Sequence, residues 1–211
     1  MATEGDDPLF LNSIYHGLIR IQPNDIFPYA PSAGLKKLRE KWKNDLIAKN
    51  PSLQQETFST PLITSGLTHS ILLITDLFIG SEDTVVIPDL HWGNYNLIFE
   101  TRKSARVQTY PFFKNEKHNV EDLEQELRNI KSRKKIFLVN FPNNPTGYSL
   151  NQEEVDSLIR MIKSLAEEGY IIIPIIDDAY FGLLYEENLY KESLFGVLSS
   201  LHENVIAIGH L

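Results

Sequence analysis

Apolar, β-branched runs alternate along the chain with stretches of helical period. The runs lie at Leu62–Thr64, Thr84–Ile87, Arg106–Tyr110, Ile136–Asn140, Ile171–Ile176 and Val205–Ile208. Between them, helix-period stretches occupy Gly34–Lys49, Thr68–Phe78, Asn94–Arg102, Val120–Lys131, Asn151–Glu168 and, weakly, Lys191–Leu201. Strands alternating with helices predict an α/β fold, a mostly parallel sheet sandwiched by helices. The helix from Asn151 is the clearest element. Ser149 with Gln152, or Asn151 with Glu154, makes a capping box. Val155, Leu158, Ile159, Ile162 and Leu165 form one apolar stripe, and Gly169 can close the end. This helix reads as scaffold. Pro174 sits inside Ile171–Ile176 and removes a ladder donor, so a local irregularity is expected there.

Composition narrows the classes. With 211 residues, 42% hydrophobic and 23% charged, the chain suits one soluble domain, or one domain plus an appendage. A net charge of −8 argues against a nucleic-acid partner. The basic cluster Lys131, Arg133, Lys134, Lys135 reads as a solvated helix end. There is no cysteine, which excludes disulfides and thiol chemistry and fits a cytoplasmic protein. Met1–Asp7 is polar and acidic, unlike a signal peptide. Ile71–Ile79 and Ile171–Ile176 are too short to span a bilayer.

In open parallel sheets, ligands bind beyond the carboxyl ends of the strands. Four stretches fall there. Ser65-Gly66-Leu67-Thr68 opens a helix, where free N–H groups and the helix dipole favour a phosphate; an ordinary strand-to-helix turn capped by Ser65 reads the same way. Trp92 can lay its indole against an aromatic ligand or simply fill a half-buried core position. Its neighbour His91 has no second histidine at ligand spacing, so no metal site is expected. In Asn143-Asn144-Pro145-Thr146-Gly147, Pro145 holds Asn144 away from helix and Gly147 permits a tight turn. The Asn144 side chain then offers both donor and acceptor, unless the loop merely caps the next helix. Asp177 ends an apolar run, where a carboxylate is costly unless it meets a cation or donors. Tyr180 could offer a phenol to the same place. Asp178 suits an N-cap role better.

Together these stretches resemble class I aminotransferases of the fold-type I superfamily dependent on pyridoxal 5'-phosphate (PLP), near the aspartate aminotransferase branch. The resemblance is carried by SG after a strand, HWGN after VVIP, NNPTG after FLVNF and DDAYFG after IIIPII, in the family's order and at comparable spacing. FPYAPSAGLKKLREKW, from Phe27 to Trp42, is similar to the family's Tyr…Gly…Leu-Arg segment. It implies a PLP-binding large domain over residues 31–211, preceded by an N-terminal segment over 1–30.

The resemblance also implies roles. Ser65, Gly66, Leu67 and Thr68 would cradle the cofactor phosphate, and Trp92 would stack on its ring. Asn144 and Tyr180 would hydrogen-bond the ring's phenolic oxygen, and Asp177 would pair with the ring nitrogen. A carboxylate there keeps that nitrogen protonated and strengthens the electron sink that amino-group chemistry needs. Tyr29 would reach the phosphate of a neighbouring subunit, implying a homodimer. The substrates implied are an amino acid and a 2-oxo acid.

Two positions depart from the aspartate branch: Leu67 replaces a hydroxyl residue, and Asn143 replaces a histidine. Both leave the substrate open. The family places its Schiff-base lysine and two arginines after the strand around Asn204–Ile208, so they are expected after Leu211. The 211 residues thus read as a large domain truncated before that lysine, inactive alone, with a covering N-terminal arm missing before Met1. A sibling PLP chemistry (lyase, decarboxylase or racemase) would share this site. A non-catalytic PLP-domain protein would need a fused interaction module. A nucleotide-binding dehydrogenase would need G-x-G-x-x-G after its first strand, and the sequence has none.

Overall fold

A computed structural model of the chain describes residues 3–53 and 58–210. An N-terminal arm holds a small hairpin, β1 (Thr3–Glu4) and β2 (Asp7–Pro8), then the short helices α1 (Asn12–Leu18) and α2 (Pro23–Ile26). Helices α3 (Lys36–Lys49) and α4 (Leu67–Phe78) lead to β3 (Thr84–Pro88), α5 (Asn94–Asn96) and β4 (Arg106–Tyr110). A hairpin of β5 (Phe113–Lys114) and β6 (Lys117–His118) precedes α6 (Val120–Asn129). The chain continues as β7 (Lys134–Asn140), α7 (Gln152–Glu167), β8 (Ile171–Asp177), α8 (Leu194–Leu198) and β9 (Ile208–His210).

The main sheet is parallel throughout, in the order β4-β3-β7-β8-β9. Its central strands β7 and β8 are apolar on both faces because helices cover both. On one face α6, α7 and α8 bury Leu127, Leu158, Ile162 and Leu198 against Phe137, Val139, Ile172 and Ile176. On the other, α4 and α5 bury Ile71, Ile74 and Tyr95 against Val85, Ile136, Leu138, Ile173 and Ile175. Each such fully buried aliphatic side chain stabilises the fold by about 1.5–3 kcal/mol. No helix among the described residues is long and apolar enough to cross a membrane.

Helix α7 follows its sequence signals closely. Asn151 and Glu154 form the capping box, and the helix closes through Gly169 and Tyr170, whose N–H groups reach Ala166 and Leu165. The irregularity at Pro174 is confined to one side. The ladder from β8 to β7 runs unbroken from Lys134↔Ile171 to Asn140↔Asp177. Towards the last strand, Ile172 donates to Asn204 and accepts from Ile206. The next donor in that row would be the nitrogen of Pro174, which carries no hydrogen. Pairing resumes only at Ile175↔Ile208.

Four expectations need correction. Leu62–Thr64 is not a strand, because the carbonyls just before it are held by side chains instead. Arg39 donates to Thr60 and Pro61, and Lys43 donates to Phe58. The stretch Asn94–Arg102 is a single α turn followed by a π-helix over Leu97–Arg102. The weak helix shortens to α8. The basic cluster is not one solvated helix end: Lys134 and Lys135 begin β7. Lys134 pairs with Asp83, while Lys135 is buried, donating to the Ile130 carbonyl and lying 4.3 Å from the Tyr170 ring centre.

Candidate functional site

Because β3, β7 and β8 are neighbours and parallel, their carboxyl ends open onto the same edge of the sheet. Three of the four sequence-predicted stretches therefore converge. Asp177, the last residue of β8, is only 4% exposed. Its two oxygens have separate donors. The Ala179 N–H reaches Oδ1 at 3.0 Å, and the Tyr95 hydroxyl donates to Oδ2. A buried carboxylate is stabilised by such donors.

Tyr95 has no counterpart in the expectations from sequence. It is 1% exposed and lies three residues beyond Trp92, its N–H bonded to the Trp92 carbonyl at 3.0 Å. The Trp92 and Tyr95 rings meet edge to face, 5.6 Å apart at 88°. Burial, with the Asp177 charge beside it, pushes the Tyr95 phenol far above its ordinary range, so it stays protonated and can donate. His91 holds the turn rather than a ligand: its Nδ1 bonds the Pro88 carbonyl at 2.7 Å and its Nε2 meets the Asn96 amide at 3.2 Å.

The Asn143–Gly147 loop is tied to the same edge. Asn143 is buried and accepts at Oδ1 from both the N–H and the hydroxyl of Thr146. Gly147, at φ +73°, closes the turn by donating to the Asn143 carbonyl at 2.7 Å. The Asn144 side chain is free to face outward and donates to the Tyr180 hydroxyl at 3.4 Å. Asn144 and Tyr180 thus present an amide and a phenol together.

The Ser65–Thr68 stretch lies at the start of α4. Gly66 takes the N-cap position at φ +98°, and no side chain caps the helix. The first N–H groups of α4 therefore remain available to an anion. The Ser65 N–H is held by His69 Nδ1 at 3.2 Å. Gly66 and Leu67 border an open groove of about 800 Å³ that also reaches Asp178 and Gly209. Tyr29 stands apart, 95% exposed, on an N-terminal arm whose helices α1 and α2 bury no side chain.

Asp178 does not cap a helix; turns follow β8. Its carboxyl is buried and accepts from the Ser193 hydroxyl at 2.6 Å, while Ser193 caps α8. Burial pushes the Asp178 carboxyl up to about 7; the Ser193 hydrogen bond opposes this and the Asp177 charge adds to it.

Comparison with known proteins gives consistent matches. A family model described as aminotransferase class I and II matches residues 13–207. A probable aspartate aminotransferase of Methanocaldococcus jannaschii is 28% identical over 79% of this chain and 42% of its own. A histidinol-phosphate aminotransferase of Staphylococcus aureus is 30% identical, again over 79% and 42%. Among solved structures, an aminotransferase from Anaerococcus prevotii covers 97% of this chain at TM-score 0.83 and 25% identity, with half of its own length matched. The chain spans about two fifths to one half of the length of these proteins.

Proposed function

Because the chain belongs to the class I and II aminotransferases, we propose that the protein carrying it moves an amino group between an amino acid and a 2-oxo acid. The chemistry would use PLP held across the carboxyl edge of the sheet. The observation that carries this reading is the buried Asp177 carboxylate at the end of an apolar strand, with aromatic Trp92 and the Asn144–Tyr180 pair on the same edge.

The donor set fits PLP group by group. Asp177 supplies the anion for a protonated ring nitrogen. Asn144 and Tyr180 supply hydrogen bonds to the ring's phenolic oxygen. Trp92 supplies a flat apolar face, and the uncapped start of α4 supplies N–H groups for the phosphate. When bound, PLP supplies an electron sink for the electron pair left as the substrate's α C–H bond breaks. The residues of this chain set the conditions for that. Trp92 fixes the ring plane, and Asp177 keeps the positive charge at the nitrogen. Asn144 and Tyr180 hold the ring against rotation in that plane.

Several lysines are engaged elsewhere, among them Lys103 with Asp76, Lys114 with Glu121, Lys134 with Asp83 and Lys191 with the Glu186 carbonyl. We expect the 211-residue chain to hold PLP without a specific covalent bond and to be inactive alone. A homodimer is also part of this reading; on the arm, Phe10, Leu11, Ile19 and Phe27 are all more than half exposed, an apolar surface that a partner subunit or the rest of the protein would cover. The test is direct. The 211-residue chain is mixed with PLP, reduced with borohydride and mapped by mass spectrometry. Scattered, low-level labelling of lysines agrees. One stoichiometric phosphopyridoxyl-lysine, with conversion of an amino acid to its oxo acid, would overturn the assignment.

A further inference from the structure

We propose that Tyr95 is a positioning residue of the cofactor site, one that fixes the Asp177 carboxylate and the Trp92 indole relative to each other. The inference rests on the PLP reading above and adds to it a residue that the sequence motifs do not single out.

Three contacts converge on this one side chain. Its hydroxyl donates to Asp177 Oδ2, its ring packs edge to face on Trp92 at 5.6 Å, and its N–H bonds the Trp92 carbonyl at 3.0 Å. The ring is locked from behind by Phe99, 6.2 Å away and nearly parallel, and flanked by His91 at 6.3 Å. At 1% exposure it has no room for a second rotamer. Asp177 Oδ1 is meanwhile held by the Ala179 N–H. With both oxygens tethered, the carboxylate cannot swing, and its remaining lone pairs are left for a ligand.

The chemistry explains why a phenol serves here. A cation at this place would compete with a protonated ring nitrogen for the Asp177 charge. A phenol that stays protonated orients the carboxylate without neutralising it. The same ring gives Trp92 a wall to rest on, so the plane offered to an aromatic ligand and the anion offered to its nitrogen are set by one side chain.

The test is a double-mutant cycle in the protein carrying these residues: wild type, Tyr95→Phe, Asp177→Ala and the double variant, each titrated with PLP by calorimetry. Absorbance of the bound cofactor is followed against pH, and circular dichroism reports folding. Tyr95→Phe keeps the ring and removes only the hydroxyl. We expect it to raise the PLP Kd about tenfold, the scale of a lost hydrogen bond to a charged group, and to shift the pH at which the cofactor absorbance changes. In the Asp177→Ala background the same substitution should alter Kd less than about twofold, since its partner is gone. Equal effects in both backgrounds, or an unchanged Kd and absorbance profile for Tyr95→Phe, would overturn the role of Tyr95 while leaving the PLP site intact. An Asp177→Ala variant with wild-type Kd and absorbance would overturn the PLP reading itself, and the role of Tyr95 with it.

Discussion

Asn140 and Asp177 are paired in register at the ends of β7 and β8, and the Asn140 side chain spans both halves of the site. Its Nδ2 donates to the Asp177 backbone carbonyl at 2.9 Å, and its Oδ1 accepts from the Asn144 N–H at 2.8 Å. One buried amide thus joins the strand end that bears the carboxylate to the loop that bears Asn144. Asn140→Leu leaves the buried Asp177 carbonyl without this partner, at about 1–3 kcal/mol, and the half-buried Asn144 N–H without its own, at less. We expect a loss of stability in urea unfolding of that order, together with weaker PLP binding by calorimetry.

Asp177→Ala removes the anion for the ring nitrogen. In the protein carrying these residues, turnover should fall at least about a hundredfold, the scale set by losing one charge partner at the reacting centre. Circular dichroism should remain that of the wild type. Near-normal turnover would show that Asp177 serves only the fold.

Tyr29→Phe tests the dimer. A hydroxyl from one subunit on the phosphate of the next should contribute about tenfold in PLP affinity. Sedimentation should still show a dimer, since the substitution keeps the ring. Full activity in a monomer at assay concentration would exclude the role of Tyr29.

Two buried groups give stability opposite pH dependences. Asp178 is raised from 3.8 to about 7, so its contribution is present below pH 4 and is lost as pH rises towards 7. His118, buried beside Tyr110, is lowered from 6.5 to about 4 by desolvation, so its contribution is present above pH 6.5 and is lost as pH falls towards 4. Asp178→Asn should therefore stabilise the protein at pH 8 and have little effect near pH 4. The difference should grow by roughly 1.4 kcal/mol per pH unit across that window. Urea midpoints measured from pH 4.5 to 8 check the sign.

The parts legible in the sequence are those fixed by local rules. Strand β4 and helix α7 follow from β-branched runs and a capping box, and Asp177 stands out because a carboxylate ends an apolar run. Tyr95 was not legible, because a tyrosine within a helix-period stretch looks like any core aromatic. Its partner lies 82 residues away, and only the sheet order brings the two together. Asn140 was hidden for the same reason. Leu62–Thr64 misled because β-propensity reports a surface suited to pairing, and pairing needs a neighbour. Lys135 misled because a long cation can bury its stem and still reach a carbonyl and a ring face.

Pro174 leaves the sheet with seams of unequal strength. Between β7 and β8 every rung is present, whereas the rung that Pro174 would donate to Ile206 is missing. The segment around Ile206, just before β9, can therefore open from β8 without disturbing β7 and β8, as a local opening of lower free energy than global unfolding. Amide hydrogen exchange reports this directly: the amide of Ile206, which bonds Ile172 across the weak seam, should exchange well before those of Ile173 and Ile175, which face the strong one. A carboxylate site on β8 would then keep its geometry while the segment around Ile206 opens beside it.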